Sequence, residues 1–155
     1  MKALMVRVMG VVAVVSGLTG CRTVPPMAAW DLGAPGWTVQ TVPAVWRPEA
    51  GGPELVGELM VARTDAGARF VQFSKQGVPV VTARSDGRQW EVGSSLRRGE
   101  YRGRGVGPGR VLWFQIDRVP PSATGDSRWR REVQPDGSWV IEDVQRGERL
   151  EGVTP

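Results

Sequence analysis

From Glu54 onward, apolar and polar residues alternate over short runs, the mark of strands that bury one face. Residues 55–63, LVGELMVAR, are rich in strand formers, and Asp65-Ala66-Gly67 supplies a turn. Residues 69–75 place Phe70, Gln72 and Ser74 on one face and Val71 and Phe73 on the other, before Gln76-Gly77 breaks the run. Residues 78–84 form a third strand, in which Pro79 marks an edge or a strand start. Asp86-Gly87 is a short hairpin signal. It leads into residues 89–92, with Trp90 and Val92 opposite Gln89 and Glu91. Four strands at near-regular spacing with short turns predict an antiparallel meander.

The second half is less regular. Residues 93–110, GSSLRRGEYRGRGVGPGR, are a Gly- and Arg-rich loop in which Tyr101 ends at most a short strand. Residues 110–119 carry apolar side chains at 111, 112, 113, 114, 116 and 119, a spacing that helix and strand both fit. A short helical turn closed by Pro120-Pro121 is favoured. After a polar loop at 122–127, strands at 128–133, 138–144 and 149–153 make a second meander, turning at Pro135-Asp136-Gly137 and at 145–148. The predicted class is mainly β: a curved antiparallel sheet or incomplete barrel with at most one or two short helices.

The N-terminus reads differently. Lys2 and Arg7 give a positive start, and residues 8–19 are apolar or small throughout, the length of a signal-peptide core and too short to span a bilayer. The run ends in Leu18-Thr19-Gly20-Cys21, which resembles the bacterial lipobox. The resemblance implies cleavage before Cys21, acylation of that cysteine and an exported, membrane-anchored protein. Two or more acyl chains anchor stably, at about 0.8 kcal/mol per buried methylene. Arg22, standing where an Asp favours inner-membrane retention, leans the sorting toward the outer membrane, facing the periplasm. The division expected is a signal peptide over 1–20, a flexible Pro- and Gly-bearing tether over 21–36, and a β-rich exported domain over 37–155.

Composition narrows the chemistry. The 155 residues contain no histidine and one cysteine, which removes the commonest general base, the commonest metal ligand and any internal disulfide. Loss of residues 1–20 takes away Lys2 and Arg7 and leaves 18 basic against 16 acidic residues, so the pI near 10.2 overstates any attraction to polyanions. Ser74 and Lys75 are adjacent and face opposite ways on a strand, and Ser94-Ser95 lack a histidine to activate them. Glu91, Glu142 and Asp143 read as solvated strand positions rather than a carboxylate pair. No metal-ligand spacing, cofactor motif or catalytic set emerges, so the chain is expected not to be an enzyme.

The seven tryptophans are the strongest feature of the domain. Each buries roughly 150–250 Å², or about 4–6 kcal/mol at ~25 cal/mol per Å². They either are the core or line an apolar cavity in a curved sheet. Gly57, Leu59 and Val61 in one strand, and Asp86, Gly87 and Trp90 at one hairpin, resemble the start of the outer-membrane lipoprotein carrier and receptor (LolA/LolB-like) superfamily over about residues 54–92. That resemblance implies a half-open antiparallel sheet whose cavity accepts a lipid or acyl chain. Val61, Phe70, Phe73, Val81, Trp90 and Trp113 are then the candidates to line it. Arg97, Arg98, Arg102, Arg104 and Arg110 are either a solvated loop or a contact for anionic lipid or an acidic partner. Nucleic acid is not an expected partner of a lipid-anchored exported chain. The alternative role is a structural or scaffolding envelope lipoprotein acting through protein contacts.

Overall fold

The computed structural model describes residues 23–96, 99–119 and 128–153. Among them are nine strands: β1 Trp37–Arg47, β2 Leu55–Thr64, β3 Arg69–Lys75, β4 Val78–Ser85, β5 Gln89–Ser94, β6 Gly99–Arg104, β7 Trp129–Val133, β8 Ser138–Asp143 and β9 Arg149–Val153. A single 3-10 turn, Leu112–Phe114, stands between β6 and β7. All nine strands join one sheet in the order β6-β5-β4-β3-β2-β1-β9-β8-β7, antiparallel throughout. The mainly β antiparallel class is therefore the observed one, and no helix among the described residues is long and apolar enough to cross a membrane.

The sheet is curled. In a flat sheet β5 and β7, seven positions apart, would lie about 34 Å from one another. Here the Trp129 indole of β7 donates to the Gly109 carbonyl at 2.6 Å, while the Trp90 ring of β5 meets the Phe114 ring edge-on at 6.1 Å. Residues 109 and 114 are at most about 18 Å apart along the chain, so the strands must bend around them. The outer strands β6 and β7 do not pair, and the barrel stays open.

Residues 107–119 lie inside the curl. Leu112, Trp113, Phe114, Ile116 and Val119 are buried there against Val42, Ala44 and Trp46 of β1, Leu59 and Val61 of β2, Phe73 of β3 and the inner residues of β8 and β9. Trp113 sits edge-on to Trp46 at 4.9 Å, and Phe73 lies 5.7 Å from Trp46. An irregular buried segment must still satisfy its carbonyls. Arg118 donates to Gly107 at 3.0 Å, and Arg131 donates to Ile116 at 3.0 Å and Val119 at 3.3 Å.

Two strands depart from the sequence expectation. β1 was hidden by Pro43. β9 pairs only with Ala44–Arg47, so the first half of β1 is an edge on that side, where proline is tolerated. β6 occupies part of the expected 93–110 loop, because glycines at 99 and 103 mask its alternation. Gly103 faces Trp90 across the ladder, and a Cβ there would come within 2.6 Å of the indole. The same arrangement recurs at Gly152 opposite Trp139. In each pair the ring lies over the glycine backbone, which seals a sheet position that has no side chain of its own. Pro79 falls at the second position of β4, beside a register shift at Phe73/Ser74, as a strand start allows. Gln76 and Gly77 both take positive φ, 51° and 76°, the geometry of a tight hairpin turn.

Candidate functional site

The inner segment does not fill the curl completely. A cleft of about 320 Å³ remains beside it. Its apolar walls are Trp46, Val81, Trp90, Val92, Leu112 and Trp113, and Ser94, Tyr101, Arg110, Arg146 and Glu148 supply polar edges. The Trp46 indole donates to Glu148 at 3.1 Å, which fixes one wall. Trp90 is only half-buried, so part of its ring faces the cleft. The volume lies at the low end of the roughly 300–1,000 Å³ range of small-molecule sites. A second hollow of about 200 Å³ lies between Val61, Ile116 and Trp139, with Arg63, Asp117 and Arg131 at its edge.

The expected cavity residues divide three ways. Val81, Trp90 and Trp113 do come together in the cleft. Val61 and Phe73 point inward on the same face but away from the cleft, Phe73 packed into the core and Val61 at the second hollow. Phe70 does not belong with them. Alternate residues on a strand face opposite ways, and with Val71 and Phe73 inward, Phe70 lies on the outer face between Ala62 and Arg84. Trp46, Arg146 and Glu148 were not expected at a site. The alternation Val42, Ala44, Trp46 signals the first, whereas the other two arrive through the β8–β9 turn, which only the β1–β9 pairing brings near.

Among the described residues, Arg102, Arg104 and Arg110 do not form one patch. Arg97, Arg98 and the acylation candidate Cys21 lie outside the described residues. Arg102 is on the outer face, 2.7 Å from Glu100 and 3.6 Å from Glu91. Arg104 is exposed at the end of β6, and Arg110 lies at the cleft.

Glu91 and Asp143 are not solvated, contrary to expectation. Glu91 is 6% exposed and ion-paired with Arg84. Asp143 is fully buried and ion-paired with Arg128. It also accepts the N–H groups of Gln145 at 3.0 Å and Arg146 at 3.3 Å. Burial pushes the Asp143 carboxyl up, but the Arg128 guanidinium and these N–H groups outweigh it and hold its pKa below the usual carboxylate value. Each carboxylate is committed to an arginine, an arrangement that fixes structure.

The outer face carries a second irregular segment. Arg84 donates to the carbonyls of Met27 and Ala28, both at 3.0 Å. Met27 is 7% exposed, and Trp30 lies 6.0 Å from the Arg84 guanidinium and 5.3 Å from the Trp37 ring. Part of the stretch expected as a tether is thus laid against the sheet. Comparison with known protein families, curated proteins and solved structures finds no match to this chain.

Proposed function

We propose that the chain is a lipid-anchored envelope lipoprotein, held through Cys21 on the periplasmic side of the outer membrane, whose non-catalytic β domain binds a lipid or acyl chain in the cleft. The observation that carries the binding role is the set of three indoles, Trp46, Trp90 and Trp113, around one apolar opening edged by Arg110 and Arg146. Apolar walls with a few charges at the edge suit an amphiphile. At about 320 Å³ the cleft suits one tail rather than several.

Intrinsic tryptophan fluorescence tests this reading. Titration with lysophosphatidylglycerol is expected to give a saturating blue shift that Trp90→Phe diminishes. No spectral response up to millimolar lipid overturns the binding role. A second reading has its own support: residues 107–119 fill most of the curl from within. On that reading the domain is a solid scaffold that meets envelope proteins through its surface, and it gives no titration.

A further inference from the structure

The geometry points to a definite standing of the domain on its membrane: the end bearing the 65–68 and 86–88 turns lies against an anionic lipid surface, and the cleft is directed away from it. This rests on the reading of Cys21 as the anchor.

The first support is the clamp on the outer face. Arg84, one residue from the end of β4, fixes the Met27 and Ala28 carbonyls, and Trp30 continues the contact to Trp37 at the start of β1. Trp37 pairs with Thr64 at the 65–68 turn, so the whole clamp is at one end of the sheet. Only five residues separate Cys21 from Met27, and the six steps between them reach at most about 21 Å. Pro25 and Pro26 hold part of it in a stiff extended form. The opposite end of the sheet, at the 76–77 turn, is about 25 Å further along β4. A short leash fixed at one end brings that end to the bilayer.

The second support is charge. Arg88 in the 86–88 turn and Arg104 at the end of β6 are both exposed. They are neighbours: Gln89 faces Arg104 across the ladder, and the Gly105 N–H donates to the Arg88 carbonyl at 2.6 Å. Acids share this end, with Asp65 exposed in the 65–68 turn and Asp86 beside Arg88, but both side chains are short and the arginines reach past them. The Asp86 carboxylate accepts the N–H groups of Arg88 and Gln89, both at 2.8 Å, and Asp117 is held by Arg69 at 2.7 Å. An arginine close to an anionic membrane strengthens binding about fivefold. The third support is the position of the cleft. Its edge residues Ser94, Arg146 and Glu148 belong to the far end of the sheet, Trp90 extends it toward the clamped end, and it opens on the inner face, opposite the clamp.

The test uses the full lipidated protein in vesicles of phosphatidylcholine mixed with phosphatidylglycerol. A lipidated Cys21 has no free thiol, so a cysteine introduced at an exposed site takes a fluorescent label alone. Ala66→Cys reports the clamped end and Val78→Cys the far end. Spin-labelled lipid is expected to quench the label at 66 several times more than that at 78. The difference should shrink with Arg88→Gln/Arg104→Gln, or when phosphatidylglycerol is left out. Equal quenching, stronger quenching at 78, or a difference indifferent to both changes overturns the inference. A titratable Cys21 thiol and a protein that washes off the vesicles instead overturn the anchor reading, and the orientation falls with it.

Discussion

The two faces of this sheet are each crossed by an irregular segment, and they hold it by different physics. On the inner face, residues 107–119 bury Leu112, Trp113, Phe114, Ile116 and Val119 and are part of the core itself. On the outer face, residues 27–30 contribute one buried methionine and are secured by arginine donors to backbone carbonyls. Burial scales with apolar area and is retained in salt, whereas exposed polar contacts add little net stability. The inner segment is therefore required for folding, and the outer one is separable from it. The same division separates the cleft, which borders the inner segment, from residues 23–30 on the outer one.

The largest expected effect follows from the inner segment. Trp113→Ala removes a ring packed on Trp46 and Phe73 and should cost about 3–5 kcal/mol, read as a fall in the urea midpoint. A loss below 1 kcal/mol would mean that the segment is laid on the core rather than built into it. Next, Asp143→Ala strips Arg128 and two backbone N–H groups of their buried acceptor, and should cost about 3 kcal/mol. Because the folded pKa of Asp143 lies below its unfolded value near 3.9, its contribution is complete above that value. It is lost as pH falls through the lowered pKa. Acid titration of stability should be steeper below about pH 4 in the wild type than in Asp143→Asn.

Gly103→Ala drives a methyl group into the Trp90 ring and is expected to cost about 1–3 kcal/mol. Shift of the ring should also alter the cleft, visible as a change in the fluorescence maximum. The smallest effect belongs to the outer face. Trp30→Ala, which removes the ring laid against Arg84 and Trp37, should lower global stability by about 1 kcal/mol yet expose residues 23–36 to limited proteolysis. Comparable losses from Trp30→Ala and Trp113→Ala would erase the contrast between the faces.

Much of the sheet is legible in the sequence because a half-buried strand writes its burial as alternation. Residues 69–75, 78–84 and the second meander carry that pattern and fold accordingly. β1 and β6 escape because one proline and two glycines interrupt it, and both interruptions make sense only once the neighbouring strand is known. The cleft is partly legible: Trp90 and Trp113 stand out as large apolar residues in predicted elements. Phe70 does too, yet its parity on β3 sends it outward. The burial of Glu91 and Asp143 depends on arginines 7 and 15 residues away, and no local pattern signals such pairs. Arg146 and Glu148 reach the cleft only through the closure of β9 onto β1, a contact about a hundred residues long in sequence.

The proposed acylation of Cys21 carries the rest, since the proposed place of the cleft and its orientation both depend on it. Intact-mass and N-terminal peptide analysis of the protein extracted from the cell envelope tests it directly. The expected mature chain begins at Cys21 and carries the added mass of acyl chains on that residue. A chain that retains residues 1–20, or one that carries an unmodified Cys21, would contradict the proposal.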